Sequence, residues 1–463
     1  MATIYRTAGT PTDVDKCTWS MWMKRGKLMS KDGGSGECFF GTNSAPGYIQ
    51  FRWSDGSQND VIRMEAAGVD GGGFEYKTYR LFKDCSAWYH VVIGIDSTQG
   101  AAADRVKLYV NGVQITQFSV QTNWTLNSGI PWNNSGSVQR IGTYSGSDNL
   151  FTGCMSHFHF IDGTQYAASD FGQTDATSGI WKIKTGPSVT YGNNGFFLKM
   201  EDRSNLDLDS SPNEHTFTTD TGDGALTATY DNPSNNFATW NPLTRNDGDD
   251  DSLSNGNTTY SLSSYTYNAK SSLAMEGGKW YWEVKQSAIN CRVGVTTSGA
   301  NNNLDTDSTA WILGDQGNGG IWVLNSAGSA SWQMTNNDTT RSITSYTTAA
   351  TSGADSIIMV ALDVDSGKMY MGLNGTWFNS SDPAAGTNPV MTLTNSSPDP
   401  LVVIASFGTS GAMVNKTNFG NGYFGTDAVA SANADDAGYG AFEYDVPTGF
   451  YALCTANISS QGG

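Results

Sequence analysis

Two histidines in MSHFHFID, His157 and His159, are the first residues here whose type and spacing could do chemistry. On an extended strand, residues i and i+2 point the same way, about 7 Å apart. Paired imidazoles of that kind could share a metal ion in a threefold assembly. Surface histidines holding no metal are the competing reading, and the preferred one. In RNDGDDDS, Asp247, Asp249, Asp250 and Asp251 offer oxygen ligands around a glycine, as calcium loops do. The glutamate and spacing of an EF-hand are missing, so a solvated linker is preferred. The nearest approaches to a glycosidase pair are Glu443-Tyr444-Asp445 and Asp207 with Asp209. A retaining enzyme needs two carboxyls about 5–5.5 Å apart, and neither stretch supplies the usual pair of glutamates.

Other catalytic patterns are missing. There is no GxSxG followed by a helix, no phosphate loop and no HExxH. Four histidines (His90, His157, His159 and His215) and scattered acids form no supported triad. The expectation is therefore a non-enzyme with no catalytic residue, no bound metal and no cofactor. Rings are a better lead, because indoles and phenols stack on the apolar faces of sugars. Trp124 and Trp132, in QTNWTLNSGIPWNNSGS, are ligand-binding candidates together with Tyr144, Trp311, Trp332 and Trp377. For Trp124 and Trp132 the competing reading, and the preferred one, is that they plug the end of a core.

The elements that must position these residues read as strands. Charged residues make up only 15% of the 463, below the roughly 25% of typical soluble chains, and 54 glycines punctuate aromatic and β-branched runs. No window longer than about three turns has helical periodicity. The runs CTWSMWMK, YIQFRW, DVIRME and WYHVVIGID read as strands of a first domain. RVKLYVNGV follows, with Asn111-Gly112 as a tight turn. In FTGCMSHFHFIDG, Phe158 and Phe160 take the buried face and the histidines the other. Later, GKWYWEVK places Trp280 and Trp282 on one face, read as core, with Tyr281 opposite. IIMVALDVDSGKMYMGLNG is a strand pair ended by Asn374-Gly375, and LVVIASF suits a strand covered on both faces. The loop Thr376–Pro389 is long and irregular, the kind that carries recognition.

The net charge of −18 argues against nucleic-acid partners and against docking on an anionic bilayer. No apolar run is long enough to span a membrane, and MATIYRTAGT lacks the regions of a secretory signal. The expected site of synthesis is a cytoplasm. Six separated cysteines (Cys17, Cys38, Cys85, Cys154, Cys291 and Cys454) read as reduced, mostly buried thiols.

Two stretches carry family resemblances. WYHVVIGIDS, VKLYVNGVQI and LFTGCMSHFHFIDG together resemble the end of a laminin-G-like, concanavalin-type jelly roll. The continuation FIDGTQYAASDFGQTDATSGIWKIK and YGNNGFFLKMED is similar to a lectin-like module of bacteriophage virion proteins, especially tail-fibre-like ones. This likeness spans roughly Cys17 to Leu243. From Ser252 to Ile458 the order GKWYWEV, RVGVT, ALDVDSGKMYMGLNG and NFG resembles a SPRY domain, a second concanavalin-like sandwich that typically binds proteins or ligands. The implied fold is all-β: two concanavalin-like antiparallel β-sandwich (jelly-roll) domains in tandem, residues 1–245 and 246–463. The implied role is a virion-surface protein made in the host cytoplasm, a tail-fibre or receptor-binding component contacting host-cell glycans. Its partners would be other virion proteins and a host-surface glycan or receptor, in a homo-oligomer taken as trimeric by analogy. A head fibre or capsid decoration protein is the first alternative, and a glycan depolymerase the second.

Overall fold

The computed structural model describes residues 3–28, 36–42, 48–54, 59–67, 74–145, 149–222, 226–244, 251–262, 268–286, 291–299, 321–325, 331–336, 342–347, 355–393, 399–407 and 413–462. Two compact units divide between Ala228 and Thr229. The sequence reading put the boundary at 245/246. The divide lies earlier because Phe237, Ala238 and Trp240 are buried in the cores of the second unit.

The first unit is an antiparallel sandwich. One sheet runs, in spatial order, Phe118–Thr122, Phe74–Leu81, Asn59–Ala67, Tyr48–Ser54, Cys38–Thr42, Val138–Ile141, Thr3–Thr7, Thr218–Asp220. The facing sheet runs Phe196–Leu198, Cys154–Asp162, Lys16–Lys24, Trp88–Asp96, Val106–Val110, Val113–Ile115. Period-two alternation decides which side chains meet between them. Trp19, Met21 and Met23 of one strand pack with Val91, Ile93 and Ile95 of the next, and with Ile62, Met64 and Tyr76 of the opposite sheet. Trp19 anchors this layer, its ring centroid 3.7 Å from Phe40 and 4.2 Å from Phe160. Each such aromatic, at 150–250 Å² buried, contributes roughly 4–6 kcal/mol of gross hydrophobic stabilisation.

The six-stranded sheet is covered on its outer face as well. Ser20, Trp22, His90, Val92, His159 and Ile161 point away from the sandwich core, and residues 164–191 lie over them. This strap contains one helical turn, Ala168–Phe171, and a small hairpin of Gly172–Thr174 with Trp181–Ile183. Trp181 threads between two glycine backbones. A Cβ on Gly172 would lie 2.5 Å from the indole, and so would one on Gly112. Gly112 also closes the Asn111-Gly112 turn at φ +80, so that position needs glycine twice over.

The second unit repeats the plan. Its larger sheet runs Asp251–Ser254, Thr259–Leu262, Met413–Asn418, Lys279–Gln286, Ile357–Asp363, Lys368–Leu373, Thr376–Trp377. A three-stranded sheet of Asn268–Met275, Leu401–Phe407 and Cys291–Thr297 packs on one side of it. As expected, Trp280 and Trp282 are fully buried in that interface, and Leu401–Ala405 is buried on both faces. The other side of the large sheet is covered by the tail around Phe442–Cys454. The Asn111-Gly112 and Asn374-Gly375 hairpins close alike. Asn111 N–H donates to His90 O, and Asn111 Oδ1 accepts from His90 N–H, at 2.8 Å each. Asn374 does the same with Ile357, at 2.9 and 2.8 Å.

Among the described cysteines, Cys17, Cys38, Cys85 and Cys454 are buried and Cys154 is half-buried. The Cys291 side chain lies outside the described residues. Among the described residues no helix is long and apolar enough to cross a membrane.

Candidate functional site: an aromatic rim on a buried carboxylate

The strand Lys279–Gln286 alternates between two cores. Trp280, Trp282 and Val284 face the three-stranded sheet, while Tyr281 and Glu283 face the tail. Glu283 is 0% exposed, a placement that costs several kcal/mol for a carboxylate unless donors surround it. Four do. Oε1 accepts from the Tyr281 hydroxyl and the Tyr444 backbone N–H, both at 2.9 Å. Oε2 accepts from the Glu443 N–H at 2.9 Å and from Asn418 Nδ2 at 3.3 Å. Asn418 is itself fixed, its Oδ1 accepting from the Gly420 and Gly422 N–H groups. Burial pushes the Glu283 carboxyl up to about 7, against the opposing pull of these four donors.

This network fixes where Tyr444 stands. The Tyr444 ring lies against the Asn374-Gly375 turn, where a Cβ on Gly375 would come within 3.0 Å of Tyr444 Cε1. Two residues on, Trp377 leaves the edge of the sheet opposite Gly372. A Cβ at Gly372 would strike Met359 and the Thr376 carbonyl at 2.6–2.7 Å, so backbone and strand are closely fitted there. Trp377 packs on Tyr281 with ring centroids 6.5 Å apart. Both Trp377 and Tyr444 are half-buried, each with one part held and another open to solvent. Asn374, Thr376, Asn379 and Asp445, their near neighbours in the chain, are exposed. The loop that follows is anchored rather than loose. Ser381 Oγ donates to Asn388 O at 2.5 Å, and Lys368 Nζ to Gly386 O at 2.9 Å. Rigid, half-open rings beside amide, hydroxyl and carboxylate groups suit a neutral polyhydroxylated ligand, stacked on one face and hydrogen-bonded at its edge.

The other sequence candidates scatter. Trp124 and Trp132 are core, not ligand rings: they are 2% and 0% exposed and meet edge-on at 5.7 Å. Trp124 Nε1 donates to the Ser128 carbonyl at 2.8 Å, which satisfies its one polar atom inside the plug. Tyr144 is half-buried against Gly41. Trp332 lies on the strand Ser331–Asn336, opposite Tyr346, and its side chain is outside the described residues. Trp311 also lies outside them, as do Asp247, Asp249 and Asp250. Asp251 is buried and accepts from the Tyr260 hydroxyl. Of the four candidates whose side chains are described, only Trp377 sits in the rim. Glu283 and Tyr444 were missed, although a glutamate in phase with Tyr281 on an aromatic strand was a readable signal.

The expectation of surface histidines is corrected by their burial. His90, His157 and His159 are 1%, 6% and 2% exposed. His90 lies between Trp22 and Trp181, with ring centroids at 4.8 and 5.9 Å. Trp181 Nε1–H donates to His90 Nδ1 at 2.9 Å. An indole can only donate, so the His90 proton sits on Nε2 and is given to Ser20 Oγ at 2.9 Å. His159 stacks on Phe197 at 3.8 Å and shares a hydrogen bond with the Tyr191 hydroxyl. His157 sits at a bulge with φ +48, which breaks the regular i, i+2 geometry that a shared metal needs. Burial drives all three down, His90 to about 3, His157 to about 4 and His159 well below its ordinary value. Among the described residues no group of histidine, cysteine and carboxylate side chains is placed to hold a metal ion.

Comparison with known proteins supports the fold. A family model described as the concanavalin A-like lectin/glucanases superfamily matches residues 3–169. No curated protein matches the chain. Among solved structures, it is similar to the TRIM65 PSpry domain at 15% identity and a TM-score of 0.28, over 38% of this chain and 87% of that one. It is similar to the SPRY domain of human HERC1 at 13% identity and a TM-score of 0.24, over 38% and 96%. Domains LG4-5 of the mouse laminin alpha1 chain align at 8% identity and a TM-score of 0.26, over 90% of this chain and 85% of that one. The fold is mostly β, and the concanavalin A-like match lies in its first unit.

Proposed function

We propose that this chain is a carbohydrate-binding protein that stacks a pyranose on the rim formed by Trp377 and Tyr444. The observation that carries the reading is the pairing of two half-open rings with a wholly buried carboxylate that fixes one of them in place. The lectin-type fold matched over residues 3–169 supports binding of this class but does not locate a site. The chemistry of the rim favours neutral sugars. Its open polar groups are amides, hydroxyls and a carboxylate, and the chain carries −18 overall. The finer reading places the protein on a bacteriophage virion, as a tail-fibre or receptor-binding component contacting host glycans. Its support is the FIDGT…DFG…W connector of residues 160–181. Several copies on one particle would let weak single sites act together.

The test is an immobilised-glycan array probed with the wild-type chain and with Trp377→Ala and Tyr444→Ala. The proposal expects retention on pyranose glycans that both variants lose while their melting temperatures hold. Retention on no glycan, or retention indifferent to both substitutions, would overturn it. Immunogold labelling of phage particles tests the virion placement separately: gold on tail fibres supports it, and unlabelled particles refute it.

A further inference from the structure

The strap over the six-stranded sheet of the first unit is pinned at its two ends and held lightly between them. At the first end Thr18 Oγ1 donates to the Thr164 carbonyl and accepts from the Tyr166 N–H, at 2.7 and 2.8 Å. Gln165 Nε2 donates to the Gly94 carbonyl at 3.2 Å. At the other end the Tyr191 carbonyl accepts from the Asp162 N–H at 2.8 Å. From Ala167 to Thr190 the residues are exposed or half-buried, except for buried Ala168, Phe171 and Gly172. Among the described hydrogen bonds, a single one from this span reaches the sheet, Trp181 Nε1–H to His90 Nδ1 at 2.9 Å. Few buried contacts and few ties mark a segment that opens locally, ahead of the fold that carries it.

That tie tolerates no proton on its acceptor. An indole can only donate, so a proton on His90 Nδ1 would set two donors face to face. Ser20 and Trp22 meet the ring from the Lys16–Lys24 strand, and Lys24 stands two residues along the same face. Asn111 and Tyr109 approach from the neighbouring hairpin, and His159 lies beyond Ser20. No carboxylate is among the described groups that bear on His90, and burial alone holds its value down, to about 3. Trp22 stays with the sheet, so whatever its ring gives a cation it gives with the strap on or off.

We propose that residues 167–190 are a proton-released cover: protonation of His90 breaks the Trp181 tie, and the strap lifts while the sandwich beneath stays folded. The sign follows from which state buries the ring. Seated, His90 is 1% exposed and neutral; lifted, it stands on an open sheet face and titrates near the ordinary value of about 6.5. Seating is therefore complete above about 6.5 and is lost about tenfold per pH unit below it, until the seated ring itself titrates. His159 keeps Phe197 and the pinned Tyr191 over it in either state, so the switch rests on His90. Lifting uncovers an apolar face that includes Val92 and Ile161. The cover is independent of the rim in the second unit.

The experiment is amide hydrogen exchange on the full chain between about pH 7.5 and 5, corrected for intrinsic rates. The hairpin of Gly172–Thr174 with Trp181–Ile183 is too small to keep its bonds off the sheet, so lifting exposes its amides. Their protection is expected to fall about thirtyfold by pH 5, tenfold per unit over the roughly 1.5 units below 6.5. Amides of Val91–Ile95 should stay better protected than the hairpin at both ends of the range. His90→Phe keeps a ring between Trp22 and Trp181 but cannot titrate. Its hairpin protection, whatever its level, should change less than about threefold across the range. A merely structural ring would alter the level and not the slope. A flat wild-type profile, an equal fall in His90→Phe, or one common protection for hairpin and Val91–Ile95 would each overturn the proposal. Should His90→Phe not fold, the wild-type comparison of hairpin with strand decides alone.

Discussion

Acidification from pH 7 to pH 5 should weaken the first unit sharply, because three histidines are folded into it as neutral rings. His90, His157 and His159 titrate near 6.5 when unfolded, while burial holds them far lower in the fold, at about 3 for His90 and about 4 for His157. A depressed value gives stability that is complete above about 6.5 and is lost as the pH falls toward the folded value, since only the unfolded chain takes up protons in that window. Each ring costs about 1.4 kcal/mol per pH unit below 6.5, so roughly 2 kcal/mol by pH 5 and about 6 kcal/mol for the three. That is a large share of the ~5–15 kcal/mol of a typical domain. The geometry agrees, because a proton on His90 Nδ1 would face the Trp181 Nε1–H that now donates to it. The assay is urea unfolding followed by hydrogen exchange on the peptide spanning Trp88–Asp96. Its midpoint should fall steeply between pH 7 and 5. The Lys279–Gln286 peptide of the second unit should not follow, because raised Glu283 contributes stability that is present in acid and lost as pH rises through about 7. An unchanged or higher midpoint for Trp88–Asp96 at pH 5 would refute the reasoning.

Two further outcomes test how the first unit is held. Gly172→Ala is allowed by its backbone, at φ −140 and ψ 170, so its cost comes from the Cβ meeting Trp181. A loss of about 1–3 kcal/mol is expected, and combining it with Trp181→Leu should cost less than the sum of the two in a thermal-melt cycle. Asp162 accepts from the N–H groups of Thr12, Asp13 and Asn194 and from Asn133 Nδ2, at 2.7–3.4 Å. Asp162→Ala strands these donors and should lower stability by roughly 3 kcal/mol or more, read as a fall in the urea midpoint.

What the sequence made legible was set by alternation and turns. The strand at Trp88–Asp96 was readable to the residue, and so were the Asn111-Gly112 turn and the inward face of Trp280 and Trp282, because period and turn chemistry are local properties. Alternation assigns a side chain to a face; it does not say what lies over that face. His157 and His159 were placed correctly opposite Phe158 and Phe160, yet read as surface residues, because what covers them, Phe197 and Glu201 at His157 and Phe171, Tyr191 and Phe197 at His159, belongs to later stretches. Trp124 and Trp132 sit in polar, glycine-rich sequence, yet the usual burial of indoles favoured their place as an end plug, and their rings do fill the end of the core. The acidic run near 247 looked like a boundary, but Phe237 and Trp240 before it are tied to the second unit by packing that no local signal carries. Glu283 lies between Trp282 and Val284 and draws its donors from residues 281, 418, 443 and 444, a set assembled only by the tertiary fold.

The most direct test of the account is a nuclear magnetic resonance titration of the full chain with a glycan retained on the array, following indole N–H and tyrosine ring signals. The account predicts that shifts concentrate at Trp377 and Tyr444 and leave buried Trp19 and Trp280 still. Shifts centred elsewhere, with Trp377 and Tyr444 unmoved, would contradict it.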